Sequence, residues 1–171
     1  RLASADHYTI EQLQTLVVYA ADRGVRIVPE LDVPGHVTHW LCAYPQWGSE
    51  PANPSQRFGV HLSCLDPTRD EVYVALASLF AEVAQVFPDR YVHVGGDEVN
   101  PTWWQRSEAI QAFIAERNLH DERGLQNYFF QRVQGILGTL GKQVIGWDEV
   151  LHERMPDCVV QNWRGATTRD R

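Results

Sequence analysis

The sequence of 171 residues is long enough for one ordinary globular domain, and its 44% apolar and 22% charged residues predict a packed core. A formal net charge of −7, without any basic run, argues against a nucleic-acid partner. No segment approaches the roughly 18 continuous apolar residues of a membrane span, so we expect no membrane insertion.

The three cysteines leave the cellular compartment undecided. Cys42, Cys64 and Cys158 lack the close pairing of a zinc site. A disulfide between Cys42 and Cys64 would close the loop between them, but we expect free buried thiols instead. A periplasmic or secreted location is our expectation.

The first predicted elements are a helix and a strand. Thr9 and Gln12 form a capping box that predicts a helix from about Thr9 to Arg23. The β-branched run 25–31 then predicts a strand. Residues 32–65 are loop formers with interspersed aromatics, and a connection of that length is usually functional.

Helices and strands alternate through the rest of the chain. A second capping box at Thr68–Glu71 predicts a helix that ends before Pro88. Further strands are predicted at 91–94, 143–147 and 158–163, and further helices at 107–116, 121–140 and near 149–154. Strand followed by helix, four times over, predicts a parallel α/β fold with right-handed crossovers.

Two layouts suit this alternation, a β/α barrel and an open doubly wound sheet. The glycine-rich turn of a dinucleotide fold is absent, and each predicted strand ends in a polar or aromatic cluster. These clusters lie at 32–36, 95–98, 147–149 and 162–164. Active sites of barrels occupy the C-terminal ends of several strands, so we predict a barrel. Four strands amount to half of an eight-stranded barrel, which needs about 250 residues.

The sharpest motif is His93-Val94-Gly95-Gly96-Asp97-Glu98, at the end of a predicted strand. Its glycines permit a sharp turn and the close approach of a ligand. Two adjacent carboxylates repel each other when both are ionised, which raises the pKa of one and lets it donate a proton near neutrality. Glycoside hydrolysis needs this division of roles between two carboxyl groups.

Three further motifs occupy the corresponding strand ends. They are Pro29-Glu30-Leu31-Asp32-Val33-Pro34-Gly35-His36, Ile145-Gly146-Trp147-Asp148-Glu149 and Gln161-Asn162-Trp163. Together with the first motif, this ordered set resembles glycoside hydrolase family 20, the β-N-acetylhexosaminidases, from about Tyr8 to Gly165. The resemblance implies a (β/α)8 TIM barrel, with residues 1–171 as a partial catalytic domain that covers roughly strands 3 to 6.

The resemblance also implies an activity. It is the retaining, substrate-assisted hydrolysis of terminal N-acetylhexosamine residues from oligosaccharides or glycoconjugates, with no metal and no other cofactor. Glu98 matches the general acid/base. Asp97 matches the carboxylate that holds the 2-acetamido group, whose carbonyl oxygen attacks the anomeric carbon. His36 matches a histidine that orients Glu98 and tunes its pKa.

Other matched positions are expected to shape the sugar-binding pocket. Trp147 and Trp163 match aromatic walls around the terminal sugar, and Asp32 and Asp148 are expected to support this site. Trp103 and its neighbour Trp104 are expected to pack in the core. The family's anchoring Arg of the first strand, and its Tyr and Trp-x-Glu segments of the last two strands, have no counterpart. We therefore expect the isolated 171-residue chain to be inactive and to associate through unpaired strand edges.

Parts of the sequence also suit three other functions. The letters G-G-D-E also occur in diguanylate cyclases, but Pro101 follows too closely for the apolar strand that those enzymes need. A metal-dependent β/α-barrel hydrolase stays open, because four residues are plausible ligands of a hard metal ion: Asp32, His36, Asp97 and Glu98. A non-catalytic sugar-binding fragment also stays open.

Overall fold

The structure, a computed structural model, describes residues 6–151 and 157–165. Its helices are α1 Ile10–Ala21, α2 Thr38–Ala43, α3 Asp70–Val86, α4 Thr102–Arg106, α5 Glu108–Glu116 and α6 Glu122–Thr139. Its strands are β1 Tyr91–His93, β2 Gln143–Trp147 and β3 Val159–Gln161, and short 3-10 turns span Pro45–Trp47 and Asp148–Val150. No helix among the described residues is long and apolar enough to cross a bilayer.

The strands form a parallel sheet in the order β1-β2-β3. A segment before them extends it, because Glu30 forms a parallel bridge with His93. The main-chain N–H groups of Leu31 and Val33 also donate to the carbonyls of His93 and Val94, at 2.9 and 3.0 Å. All four segments therefore send their carboxyl ends to one edge of the sheet.

The first predicted strand is displaced from its expected position. Residues 25–31 form no regular strand, and pairing occurs instead at residues 29–33. Pro29 has no N–H for a ladder, so its carbonyl alone pairs, accepting from the His93 N–H at 2.9 Å. The predicted strands at 91–94 and 158–163 are present but shorter, and the one at 143–147 is confirmed in full.

Side-chain caps confirm three predicted helix starts, while one prediction is wrong. The Thr9 box is present, and the side chains of Ser107 and Asp121 cap α5 and α6. The Thr68 box is wrong, and α3 begins at Asp70 without a side-chain cap. Thr68 instead donates both its N–H, at 3.0 Å, and its hydroxyl, at 2.7 Å, to Asp66, and this turn replaces the cap.

Two short helices were not predicted. The supposed loop 32–65 contains α2 and a 3-10 turn, and α4 follows Pro101. Neither helix has a capping side chain, so both depend on tertiary packing, with Leu41 of α2 wholly buried. The predicted helical piece near 149–154 is a 3-10 turn at its start, and residues 152–156 lie outside the described residues.

The core lies between the sheet and the long helices α3 and α6. Its buried side chains include Phe80, Phe129, Phe130, Leu125, Leu137, Val92 and Val144. Trp103 and Trp104 are buried, as predicted, and the Trp104 indole N–H donates to the Leu65 carbonyl at 2.9 Å. Cys42 and Cys64 are free, and only Cys64 is buried, so the expectation of burial is wrong for Cys42.

The turn after β1 packs without side chains of its own. Gly95 and Gly96 have φ values of +67° and +95°, which L-residues rarely adopt. A Cβ on Gly96 would lie 2.6 Å from Val150 Cγ1 and 2.7 Å from Phe130 Cζ. The turn therefore needs glycine for its backbone conformation. It also needs glycine for its close approach to α6 and to the 3-10 turn Asp148–Val150.

We expect Gly96→Ala to lower the free energy of unfolding by about 2 kcal/mol or more, through strain and overpacking. Gly135→Ala is the matched control, because a Cβ at this exposed helical position meets nothing within 4 Å. That control should stabilise the protein by about 0.5–1 kcal/mol. Urea unfolding of both variants checks the contrast, and equal shifts would contradict it.

Candidate active site

Four of the predicted side chains converge at the strand-end edge. Asp32 and His36 come from the segment beside β1, and Asp97 and Glu98 come from the turn after β1. His36 Nε2 lies 3.5 Å from Asp97 Oδ2, 3.5 Å from Glu98 Oε2 and 4.0 Å from Asp32 Oδ2. One imidazole thus faces three carboxyl groups, a concentration of charge typical of a functional site.

The backbone at this cluster is strained. His36 and Glu98 have φ values of 53° and 52°, in the left-handed region that non-glycine residues seldom occupy. Such conformations cost free energy and persist where the surrounding structure enforces them, often at active sites. The two chain segments lie close together here, since a Cβ on Gly35 would be in ordinary van der Waals contact with the Asp97 carbonyl, at 3.5 Å.

Asp32 is the most perturbed acid of the cluster. Burial and the neighbouring carboxylate of Asp97 raise the pKa of Asp32 to about 8, and the hydrogen bond from the Gly96 N–H, at 3.1 Å, only partly opposes them. At neutral pH, Asp32 therefore holds a proton that it can share with Asp97. This proton removes one negative charge from a crowded site.

Asp97 and Glu98 differ in their surroundings. The side chain of Asp97 is 19% exposed, against 38% for Glu98. Asp97 Oδ1 is buried and accepts no hydrogen bond from any residue in the described ranges. A buried carboxylate oxygen normally has a donor, so Asp97 can accept a hydrogen bond from a bound molecule.

Glu30 orients Trp147 at the end of β2. The Trp147 indole N–H donates to Glu30 Oε1 at 3.0 Å. The Trp147 ring also meets His93 edge-on, with centroids 5.0 Å apart and planes at 63°. A hydrogen bond at one end and a ring contact along its face thus hold Trp147 beside the carboxylate cluster.

His93 serves this arrangement as a neutral group. Burial lowers the pKa of His93, and its Nδ1 accepts the Gly95 N–H at 3.1 Å. Glu30 Oε1 lies 3.3 Å from the same Nδ1. The Gly95 N–H and Glu30 Oε1 thus meet the same ring nitrogen, while Nε2 is buried without a partner among the described residues.

Trp163 belongs to a second group at the end of β3. It is 52% exposed, and its indole N–H donates to Glu149 at 3.1 Å. Asp148, fully buried, accepts from the Trp163 main chain at 3.3 Å and from Arg164 Nε at 2.6 Å. Burial raises the pKa of Asp148, but Arg164 and the main-chain donor outweigh it and hold that pKa below its ordinary value.

Two clefts open near these groups. The first, of about 660 Å³, has His36 and Glu98 on one wall and residues of the 53–61 segment on the other. The second, of about 610 Å³, lies between Trp104, the start of α6 and the Asp148–Arg164 pair. Both volumes are in the range of small-ligand sites in proteins.

Three residues that support the site were not predicted. Glu30 lies within the motif 29–36 and Arg164 within the strand-end cluster 162–164, which is a signal that could have found them. Gln126 carried no such signal, because it lies within the ordinary helical pattern of α6; its side-chain amide donates to the Gly96 carbonyl at 3.0 Å.

The same cluster could hold a metal ion. Asp32, His36 and Asp97 each offer a ligand atom, and these atoms lie within 4.8 Å of one another. Oxygen and imidazole donors suit several divalent cations. The proton that Asp32 holds at neutral pH would have to leave before a cation bound there.

Comparison with known proteins gives consistent matches. The model of glycosyl hydrolase family 20, catalytic domain, matches residues 2–171. A β-hexosaminidase of Porphyromonas gingivalis is 37% identical over 161 residues, which are 92% of this chain and 21% of that protein. The chain spans about a quarter of the length of such relatives.

Solved structures agree with this match. The chitobiase of Flavobacterium johnsoniae superposes with a TM-score of 0.89 at 40% identity, over 93% of this chain and 25% of that one. A GH20 exo-β-N-acetylglucosaminidase from Vibrio harveyi, in complex with N-acetylglucosamine, gives a TM-score of 0.79 at 30% identity, over 92% of this chain and 26% of that one. These neighbours confirm the predicted fold class, a portion of a TIM barrel.

We expect Asp32→Asn to flatten the dependence of stability on pH. Folded Asp32 keeps its proton up to about pH 8, whereas the unfolded chain loses it near the ordinary pKa of 3.8. Between these values the folded state binds more protons, so the free energy of unfolding falls as pH rises, by up to about 1.4 kcal/mol per pH unit.

Asparagine at this position keeps an oxygen for the Gly96 N–H and cannot ionise. Chemical denaturation at about pH 5 and about pH 7.5 should therefore show a smaller difference for the variant than for the wild type. An unchanged difference would mean that Asp32 is ionised across this range.

Proposed function

The chain belongs to glycosyl hydrolase family 20, and we propose that residues 1–171 form part of the catalytic barrel of a β-N-acetylhexosaminidase. The proposed substrates are oligosaccharides or glycoconjugates that end in a β-linked N-acetylhexosamine. The observation that carries the proposal is the carboxylate pair after β1. Asp97 and Glu98 face His36 from adjacent positions, and Asp97 has a buried oxygen without a donor among the described residues.

Glu98 is the proposed general acid/base. It is the more exposed of the pair and lines the 660 Å³ cleft, so it can reach the oxygen that links the terminal sugar to its leaving group. In the first step its proton passes to that oxygen as the bond from the anomeric carbon breaks. In the second step it takes a proton from the water that attacks the anomeric carbon.

Asp97 is the proposed partner of the 2-acetamido group. Its Oδ1 would accept the acetamido N–H, so that the acetamido carbonyl oxygen points at the anomeric carbon and forms the new bond as the leaving group departs. The resulting cyclic cation carries positive charge, which the Asp97 carboxylate stabilises. Water then opens the ring, so two displacements give retention of configuration.

Neighbouring groups support this division of roles. Protonated Asp32 places no second negative charge beside the Asp97 carboxylate. His36, 3.5 Å from both members of the pair, can orient Glu98. Trp147 and Trp163 are the proposed walls around the terminal sugar, since aromatic faces suit the apolar faces of a pyranose.

Proton donation by Glu98 is testable through the leaving group. In a complete enzyme that contains residues 1–171, Glu98→Gln should reduce turnover of substrates with poor leaving groups by about a hundredfold or more, because the departing oxygen needs a proton. Turnover of activated aryl N-acetylglucosaminides should fall much less, because their leaving groups depart without a proton. Gly135→Ala, a substitution on the exposed surface of α6, is the control and should leave turnover of both substrate classes unchanged. Equal losses on both substrate classes would argue against a role in leaving-group protonation.

Substrate assistance by the acetamido group is testable at Asp97. Asp97→Asn should reduce kcat strongly while leaving the unfolding midpoint close to that of the wild type, because charge stabilisation is lost without a change of shape. A thiazoline mimic of the cyclic intermediate should bind the wild type tightly and the variant weakly. Equal rates on glucosides that lack the 2-acetamido group would rule this mechanism out.

A further inference from the structure

The cleft beside Glu98 is built on one side by α2 and on the other by an exposed segment, residues 53–61. Its volume of about 660 Å³ is in the range of small-ligand sites. Among the described residues that line it, Glu98 is the only carboxylate and Arg57 the only lysine or arginine. The formal charges of these two side chains balance, which suits a neutral ligand better than an anionic one.

The 53–61 segment is anchored at both ends. The Cys42 thiol contacts the Ala52 carbonyl at 3.7 Å before the segment, and Thr38 and Ser63 share a hydroxyl hydrogen bond after it. Within the segment, His61 Nε2 hydrogen bonds to the Arg57 carbonyl at 3.0 Å. The segment is therefore attached to α2 at its base, and its tip projects beside the cleft.

Phe58 lies at this tip and is fully exposed to solvent. Large aromatic side chains are usually buried, at least in part. An aromatic face beside neutral polar groups is the composition that binds a pyranose, whose C–H faces stack on rings while its hydroxyls form hydrogen bonds. His39 and Ser55 supply such polar groups here, and burial lowers the pKa of His39, which favours the neutral imidazole.

We propose that this cleft is the binding site for the leaving-group sugar, with Phe58 as its stacking residue. The inference rests on the function proposed above, in which Glu98 protonates the departing oxygen. That oxygen joins the terminal sugar to the leaving group, so the leaving group lies on the side of Glu98. Glu98 lines the cleft, whereas Asp97 is not among the described residues that line it. The substrate class is thereby narrowed to oligosaccharides with a neutral pyranose next to the terminal residue.

The test compares two substrates with the same terminal sugar in a complete enzyme that contains residues 1–171, because the isolated chain is expected to be inactive. One is a β-linked disaccharide of N-acetylglucosamine, and the other is N-acetylglucosaminyl fluoride, whose leaving group is too small to reach residues 53–61. The measured quantity is the ratio of kcat/KM for the disaccharide to kcat/KM for the fluoride. Phe58→Ala should lower this ratio by about tenfold, because it removes an aromatic contact made only with the second sugar.

Two further variants make the result specific. Phe58→Tyr keeps an aromatic face and should restore the ratio to within about twofold of the wild type. Tyr8→Ala removes another exposed aromatic side chain, one that lines a different groove beside α1, and should leave the ratio unchanged.

The outcomes separate this inference from the function on which it rests. An unchanged ratio in Phe58→Ala, or an equal fall in Tyr8→Ala, overturns the subsite and leaves the hexosaminidase function standing. A wild-type enzyme that cleaves the fluoride but not the disaccharide also overturns the subsite and leaves the hexosaminidase function standing. A complete wild-type enzyme containing residues 1–171 that cleaves neither substrate overturns the proposed function, and the subsite with it.

Discussion

The close approach of Asp32 to the Gly95–Gly96 turn is the contact on which the site depends. A Cβ on Gly95 would lie 2.7 Å from the Asp32 Cα, and the Gly96 N–H donates to the Asp32 side chain at 3.1 Å. With no side chain between them, the two segments meet backbone against backbone. That contact places His36 opposite Asp97 and Glu98, and it explains why the turn after β1 has a glycine at position 95.

This contact brings the functional groups together, and it also lowers the stability of the fold. Positive φ at His36 and Glu98, and an Asp97 oxygen that is buried without a donor among the described residues, all occur where the two segments meet. Each feature lowers stability in isolation. The folded core offsets these terms, since Phe130 packs directly beneath Gly96 and Gln126 binds its carbonyl. Strain and unpaired polar atoms are common where a site is shaped for a ligand rather than for stability.

The aromatic residues are oriented by polar partners rather than by apolar packing alone. Glu30 holds the Trp147 indole, and Glu149 holds that of Trp163. Buried Asp148 secures the chain beside Trp163 because Arg164 compensates its charge. A ring held at its N–H keeps a face available, which is what a sugar-binding wall requires. The side chain of Phe58 has no polar group that a partner could hold in this way. Its position depends on the anchored ends of the 53–61 segment.

Local patterns in the sequence determined the elements that carry strong short-range signals. The capping residues Thr9, Ser107 and Asp121 begin the helices predicted for them, and the apolar run 143–147 forms the predicted strand. Two of the strand-end motifs, 29–36 and 93–98, identified Asp32, His36, Asp97 and Glu98 as candidates, because parallel strands bring their carboxyl ends to one edge.

Only the tertiary structure decided how these groups share protons and partners. The raised pKa of Asp32 arises from burial and from a carboxylate 65 positions along the chain, the bond between Glu30 and Trp147 joins residues 117 apart, and α2 and α4 exist without side-chain caps. Contacts of that range depend on how segments distant in the chain pack together. Local composition encodes propensity, whereas burial, distance and charge at a site are properties of the folded whole.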